Sequence, residues 1–197
     1  MSAMIPPSSR RRRLSPEERR AELLDTAMDV FATMGIERAG HADVARQASV
    51  STATVFNYFP SRPALVTAVL DEIEATVDAM FDGLPALSDD PERRVLQLAQ
   101  AYQDMLEARP SAVKTFLKWG VSFDPDIRPQ YLEYQGRILK RLAQHLPHSD
   151  DTTTEARVLF GAANMLATMA FDGAPMDALL TYARRIAQVL AKPGGAA

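Results

Sequence analysis

No cysteine occurs in the 197 residues. Disulfides, thiolate zinc sites and cysteine nucleophiles are therefore excluded. Imidazole is scarce too: His41, His145 and His148 are the only histidines, so no metal site is expected. No apolar run reaches the ~18 uncharged residues of a membrane span. The Arg10–Arg13 run is followed by Ser15-Pro16-Glu17-Glu18-Arg19-Arg20 and not by an apolar stretch, so neither a secretory nor a twin-arginine signal is expected. Catalytic signatures are missing as well. There is no phosphate loop, no Gly-x-Ser-x-Gly and no pair of histidines on one helical face, and an enzyme is not expected. Period-two alternation and internal repeats are absent. Hydrophobic residues make up 47% of the chain and charged ones 24%, the balance of a globular protein of one or two domains. These absences point to a soluble cytoplasmic protein without a membrane partner and without a cofactor.

The net charge of −3 hides an asymmetry. Through residue 70 there are nine basic and seven acidic residues; the remainder has 13 basic and 18 acidic. A basic amino end on an acidic body suits an anionic partner, nucleic acid first. A solvated tail would give the same arithmetic.

Helical periodicity fills the chain. Residues 1–14 read as a flexible, arginine-rich arm. Ser15-Pro16-Glu17-Glu18 carries a capping box and a proline at the first helical position. Leu24, Ala27, Met28, Phe31 and Met34 follow as one apolar stripe, which Gly35 ends. A short helix is predicted from Gly40 or His41, another from Thr52 to about Phe59 capped by Ser51, and a long connecting one from Ser61 to about Asp82. Further helices are predicted over 91–108, 111–123, 129–146, 152–171 and 175–191, with a tail over 192–197. The fold class is all-α with about nine helices. It divides into a head over 15–60 and a body over 61–191.

Helix, tight turn, helix within 41–59 has the layout of a helix-turn-helix. The second helix must offer small or polar groups to a major groove about 12 Å wide while anchoring its other face. Val55 and Phe59, four apart, suit the anchor. Ser51, Thr52, Ala53 and Asn57 are left outside, where Thr and Ala suit a thymine methyl and Asn suits adenine. Tyr58 suits a phosphate. A three-helix bundle with an indifferent surface fits this pattern equally well.

Residues 21–70, above all Val50-Ser51-Thr52-Ala53-Thr54-Val55-Phe56-Asn57-Tyr58-Phe59-Pro60-Ser61-Arg62, resemble the DNA-binding domain of TetR-type transcriptional regulators. Arg13-Leu14-Ser15-Pro16, the Val30-Phe31-Ala32 region, Gly40-His41-Ala42-Asp43-Val44-Ala45 and Val55-Phe56-Asn57-Tyr58-Phe59-Pro60 resemble one branch more closely, the quorum-sensing master regulators of vibrios (the LuxR/HapR/SmcR group). Beyond residue 80 only Phe116-Leu117-Lys118-Trp119 resembles that branch. The resemblance implies a homodimer on double-stranded DNA, with the last two helices forming a four-helix dimer bundle. It implies an arm entering the minor groove through Arg10, Arg11, Arg12 and Arg13. The DNA-contacting set it implies is completed by His41, Ser51, Thr52, Ala53, Thr54, Asn57, Tyr58 and Arg62. The function implied is binding of a pseudopalindromic operator. A ligand-released repressor of a neighbouring efflux or catabolic gene is the alternative. Ala163 stands where members of the branch often carry a pocket cysteine.

In the body, Leu96, Tyr102, Gln103 and Leu106 suggest one pocket wall, Phe116 and Trp119 another, with Asn164 and Thr168 opposite. An apolar or amphipathic effector is expected in a cavity of ~300 Å³ or more. Phe160, Gly161, Met165, Leu166, Met169, Leu179, Leu180, Tyr182 and Ile186 are candidate subunit contacts. The connecting helix is expected to be the only rigid element that touches both head and body.

Overall fold

The computed structural model describes residues 14–146 and 152–191. Among these residues there are nine helices and no strand. The head contains α1 (Pro16–Met34), α2 (His41–Ala48) and α3 (Thr52–Tyr58). The long α4 (Arg62–Asp82) follows, then α5 (Pro91–Ala108), α6 (Pro110–Gly120), α7 (Arg128–His145), α8 (Thr152–Phe171) and α9 (Met176–Leu190).

The ends follow local chemistry. Ser15 Oγ accepts the Glu18 amide at 3.1 Å, and the Glu18 carboxylate accepts the Ser15 amide at 2.8 Å. Two orphan donors of the first turn are satisfied at once. Gly35 ends α1 with φ at +85°, a conformation costly for any residue with a Cβ. Ser61 caps α4 through the Ala64 amide, and Asp90 caps α5 through the Arg93 amide. α6 stops at Gly120, three residues short of the predicted 123. Arg128 draws the chain round there by donating to the Gly120 carbonyl at 2.7 Å. Between α5 and α6 no loop intervenes. Arg109 ends one helix and starts the next, and Pro110 takes a first-turn position where its missing N–H costs nothing.

One contiguous core runs from Leu23 in the head to Leu190 at the end of α9. Its centre is aromatic. Trp119 is fully buried, stacked on Tyr134 at 6.1 Å and edge-on to Tyr131 at 5.6 Å and Phe116 at 6.3 Å. Such pairs add about 0.5–1.5 kcal/mol each beyond their buried area.

The junction of head and body corrects the expectation that α4 alone touches both. α1 packs along α6 more extensively than along α4. Thr115 donates to the Met28 carbonyl, Ser111 to the Asp29 carboxylate at 2.6 Å, Lys118 to the Thr33 carbonyl at 2.7 Å and Ser122 to the Glu37 carboxylate at 2.7 Å. Arg109 joins α4 to this junction by pairing with Glu72 at 2.7 Å, with Asp25 of α1 at 3.7 Å. On its far side α4 is tied to α7 by Arg137 to Glu74 and by Arg141 to Asp78 and Asp82.

Candidate DNA-binding head and cavity

The turn between α2 and α3 is made by Ser49, whose φ of 56° and ψ of 42° are left-handed. A serine there costs roughly 1–2 kcal/mol, so the surrounding packing must hold it. The Val50 amide closes the turn by donating to the Ala45 carbonyl at 3.0 Å. α3 is then oriented by Val55 and Phe59, both buried, and the Arg20 guanidinium lies 5.3 Å from the Phe59 ring centroid. With that face fixed, Thr52, Ala53, Phe56 and Asn57 are exposed. Ser51 is exposed as well, but its Oγ accepts the Thr54 amide at 3.1 Å and lies 2.8 Å from Thr54 Oγ1. The Ser51 hydroxyl caps α3, and the Thr54 hydroxyl bonds to it. Tyr58 is half-buried and packs against the core.

Two members of the predicted DNA-contacting set are placed differently. His41 is buried: its Nε2 lies 2.7 Å from the Phe59 carbonyl, and its ring stacks on Phe56 at 3.9 Å. It fastens the start of α2 to the end of α3 and presents no edge to a groove. Arg62 donates through Nη2 to the Ile36 and Glu37 carbonyls, the latter at 2.8 Å. It straps the start of α4 to the α1–α2 loop. Arg62→Ala is expected to cost about 1–3 kcal/mol of folding stability, the usual value of charge-assisted hydrogen bonds. The salt slope of DNA binding should change little, because Nη2 is committed to backbone carbonyls. Melting curves and salt titrations check the two halves of this prediction.

Phe56 was not among the predicted contacts. It is 45% exposed beside Asn57, although phenylalanine is ordinarily read as core. The stacked His41 ring, which holds it outward, is visible only in three dimensions. Arg10, Arg11, Arg12 and Arg13 lie outside the described residues.

In the body, a cavity of about 80 Å³ lies between α4, α5, α6, α7, α8 and α9. Of the predicted pocket residues it brings together Tyr102, Phe116 and Asn164. Leu96, Gln103, Leu106, Trp119 and Thr168 are not in its wall. α5 faces it through Val95, Leu98, Ala99, Tyr102 and Met105, one stripe at helical spacing, and Leu96 and Gln103 fall to the side. Gln103 instead donates to Glu107 at 3.0 Å. Trp119 sits among Phe116, Tyr131 and Tyr134. Thr168 back-bonds to the Asn164 carbonyl at 2.9 Å. The expected ~300 Å³ is not reached, because large side chains from six helices converge on one point. No lining residue is charged. The Tyr102 hydroxyl oxygen is buried without a hydrogen-bond partner, and burial pushes its pKa well above the ordinary phenol value.

Other absences concern the described residues only. No helix there is long and apolar enough to cross a membrane, and no cluster of His, Asp and Glu there is arranged to hold a metal ion.

Comparison with known proteins places this geometry. Residues 23–69, from within α1 to the first half of α4, match the model of the bacterial regulatory proteins of the tetR family. The HTH-type transcriptional regulator LuxR of Vibrio harveyi is 34% identical over 122 residues, a match spanning 62% of this chain and 60% of that relative's length. A TetR-like transcriptional regulator from Rhodococcus sp. RHA1 has the same fold, with a TM-score of 0.74 over 89% of this chain and 97% of that one at 19% identity. So does FadR from Bacillus subtilis, solved in complex with stearoyl-CoA, with a TM-score of 0.68 over 87% and 97% of the two chains at 16% identity. Residues 23–69 thus form a head of the tetR-family type, and the chain shares the fold of TetR-like regulators along most of its length.

Proposed function

We propose that the chain is a sequence-specific transcription regulator that binds a pseudopalindromic operator as a homodimer and is modulated by a small apolar or amphipathic ligand. The observation that carries this reading is the outer face of α3: Thr52, Ala53 and Asn57 exposed together, over a back face locked by Val55 and Phe59. A helix held this rigidly can place three short side chains against base edges. Of the predicted contacts, Ser51, Thr54 and Tyr58 support the helix end and the backbone approach, and Arg10 to Arg13 supply the minor-groove arm. Selection of bound sites from random duplexes tests the reading. The expected product is a pseudopalindrome of roughly twenty base pairs whose half-sites lie about one helical turn apart, with A·T-rich flanks. A single asymmetric half-site would overturn it.

The dimer rests on the apolar surface of the last two helices. Val158, Met165, Met176, Leu180 and Val189 are all exposed there, more apolar surface than a free helix pair normally shows to water. Leu180→Glu is expected to shift the protein toward monomer in sedimentation and to weaken operator binding by about tenfold or more. The likeness to LuxR favours the quorum-sensing branch over a local efflux or catabolic repressor. Transcription of the selected targets should then follow cell density.

The effector reading is supported by the uncharged cavity, and a fold relative, FadR, was solved with a much larger small molecule, stearoyl-CoA. Phe116 lines the cavity from α6, and α6 carries Ser111, Thr115 and Lys118, which bond to α1. A ligand that displaces α6 would therefore move α1 and the head directly, beside any tilt of α4. It acts only through its differential affinity for the two arrangements.

A further inference from the structure

We infer that the cavity selects a short, neutral aliphatic molecule of about five to eight heavy atoms, bearing one acceptor oxygen that takes the Tyr102 hydroxyl; this rests on the effector reading above. Size comes from the volume. At ~10–15 Å³ for each water-sized group, a free space of about 80 Å³ holds about five to eight of them. Long acyl chains do not fit without displacing Phe116, Leu142 or Phe160 from the wall.

Charge comes from the lining. The cavity offers no cation to a carboxylate and no carboxylate to an amine. A buried ion without a partner is far costlier than a buried neutral group. Hydrocarbon alone, on the other hand, would leave a defect uncorrected. The Tyr102 hydroxyl stands in this wall with no partner, and an unsatisfied buried donor carries a large desolvation penalty. A carbonyl oxygen lodged against Tyr102 accepts that O–H and removes the penalty, while the alkyl remainder lies against Ile73, Val77 and Leu98. Tyr102 is thus the specificity-determining residue, and the aliphatic wall sets the length.

The test uses the full chain and three probes at millimolar concentration. Hexan-2-one has a suitable length and one carbonyl, hexanoate carries a charge on a similar chain, and decan-2-one is too long. Hexan-2-one is expected to raise the melting temperature and to weaken binding to the selected operator, and the other two are expected to do neither. In Tyr102→Phe, hexan-2-one affinity should fall about tenfold, the value of one hydrogen bond of ordinary strength. The melting temperature of that variant without ligand should stay level or rise, since an unpartnered hydroxyl is removed. Ala163→Leu, which fills the space from α8, should abolish the response through a different residue. Equal binding of hexanoate, equal affinity in Tyr102→Phe, or no response of the wild type to hexan-2-one would each overturn the inference. Operator binding measured without any probe keeps the two levels apart. If it is intact while hexan-2-one does nothing, the ligand class fails and the DNA-binding reading stands; if it is absent, the regulator reading itself fails.

Discussion

Phe59→Ala is expected to cost about 3–5 kcal/mol of folding stability, the usual loss for a truncated core aromatic. For a chain of this length that lowers the melting temperature by about 6–20 °C. The position is demanding for three separate reasons. Its ring is only 2% exposed and closes the core under α3. The Arg20 guanidinium covers it at 5.3 Å. Its carbonyl meets the buried His41 ring at 2.7 Å, so any backbone shift that collapses the cavity also strains the joint of α2 with α3. Asn57, two residues earlier, lies on the exposed face. Asn57→Ala should leave the melting temperature almost unmoved and weaken or relax DNA binding by about 1–3 kcal/mol. Calorimetry and operator titration on the two variants separate anchoring from reading. An Asn57→Ala protein that melts early yet binds normally when folded would reverse the assignment of the two faces.

What was legible in the sequence is what local chemistry decides. Ser15 with Glu18 is a capping box within four residues, and the structure forms both of its hydrogen bonds. The i, i+4 pair Val55 and Phe59 already marks the buried side of α3, although Phe56, three before Phe59, has a spacing that would suit the same face. The body was legible only as helices. A stripe such as Val95, Leu98, Tyr102 and Met105 announces a buried face without saying whether a void lies behind it. Phe116 and Trp119, three apart, both read as pocket wall. Only the positions of Tyr131 and Tyr134 on α7 turn Trp119 into packed core and leave Phe116 at the cavity. The bonds that His41 and Arg62 make within the head were invisible for the same physical reason. A polar residue beside a recognition helix looks like a DNA contact, and their true partners are backbone carbonyls 18 to 26 residues away. Backbone carbonyls leave no trace in side-chain pattern. The α1–α6 junction was equally invisible, since each hydrogen bond across it joins residues more than 80 positions apart.

Removing residues 1–13 is expected to weaken operator binding with a loss that grows as salt is lowered. Each arm carries Arg10, Arg11, Arg12 and Arg13. If all four neutralise DNA phosphates, each arm contributes about 3.6 to the slope of log affinity against log salt. Between roughly 50 and 200 mM salt, that part of the affinity changes by about 150-fold for each arm. Arginines entering a narrow A·T minor groove gain further from its enhanced negative potential, so the loss should be largest on operators with A·T-rich flanks. The head itself should be spared. The deletion stops before Leu14, and Ser15 keeps both hydrogen bonds of its capping box with Glu18. Folding stability should therefore change by no more than a few tenths of a kcal/mol, as for other surface changes. Two comparisons isolate the arm: full chain against truncated chain across a salt series, and A·T-rich against G·C-rich flanks at one salt concentration. Unchanged affinity and an unchanged slope would make residues 1–13 a solvated tail. A reduced slope with no dependence on the flanks would keep the arginines on the phosphates and out of the groove.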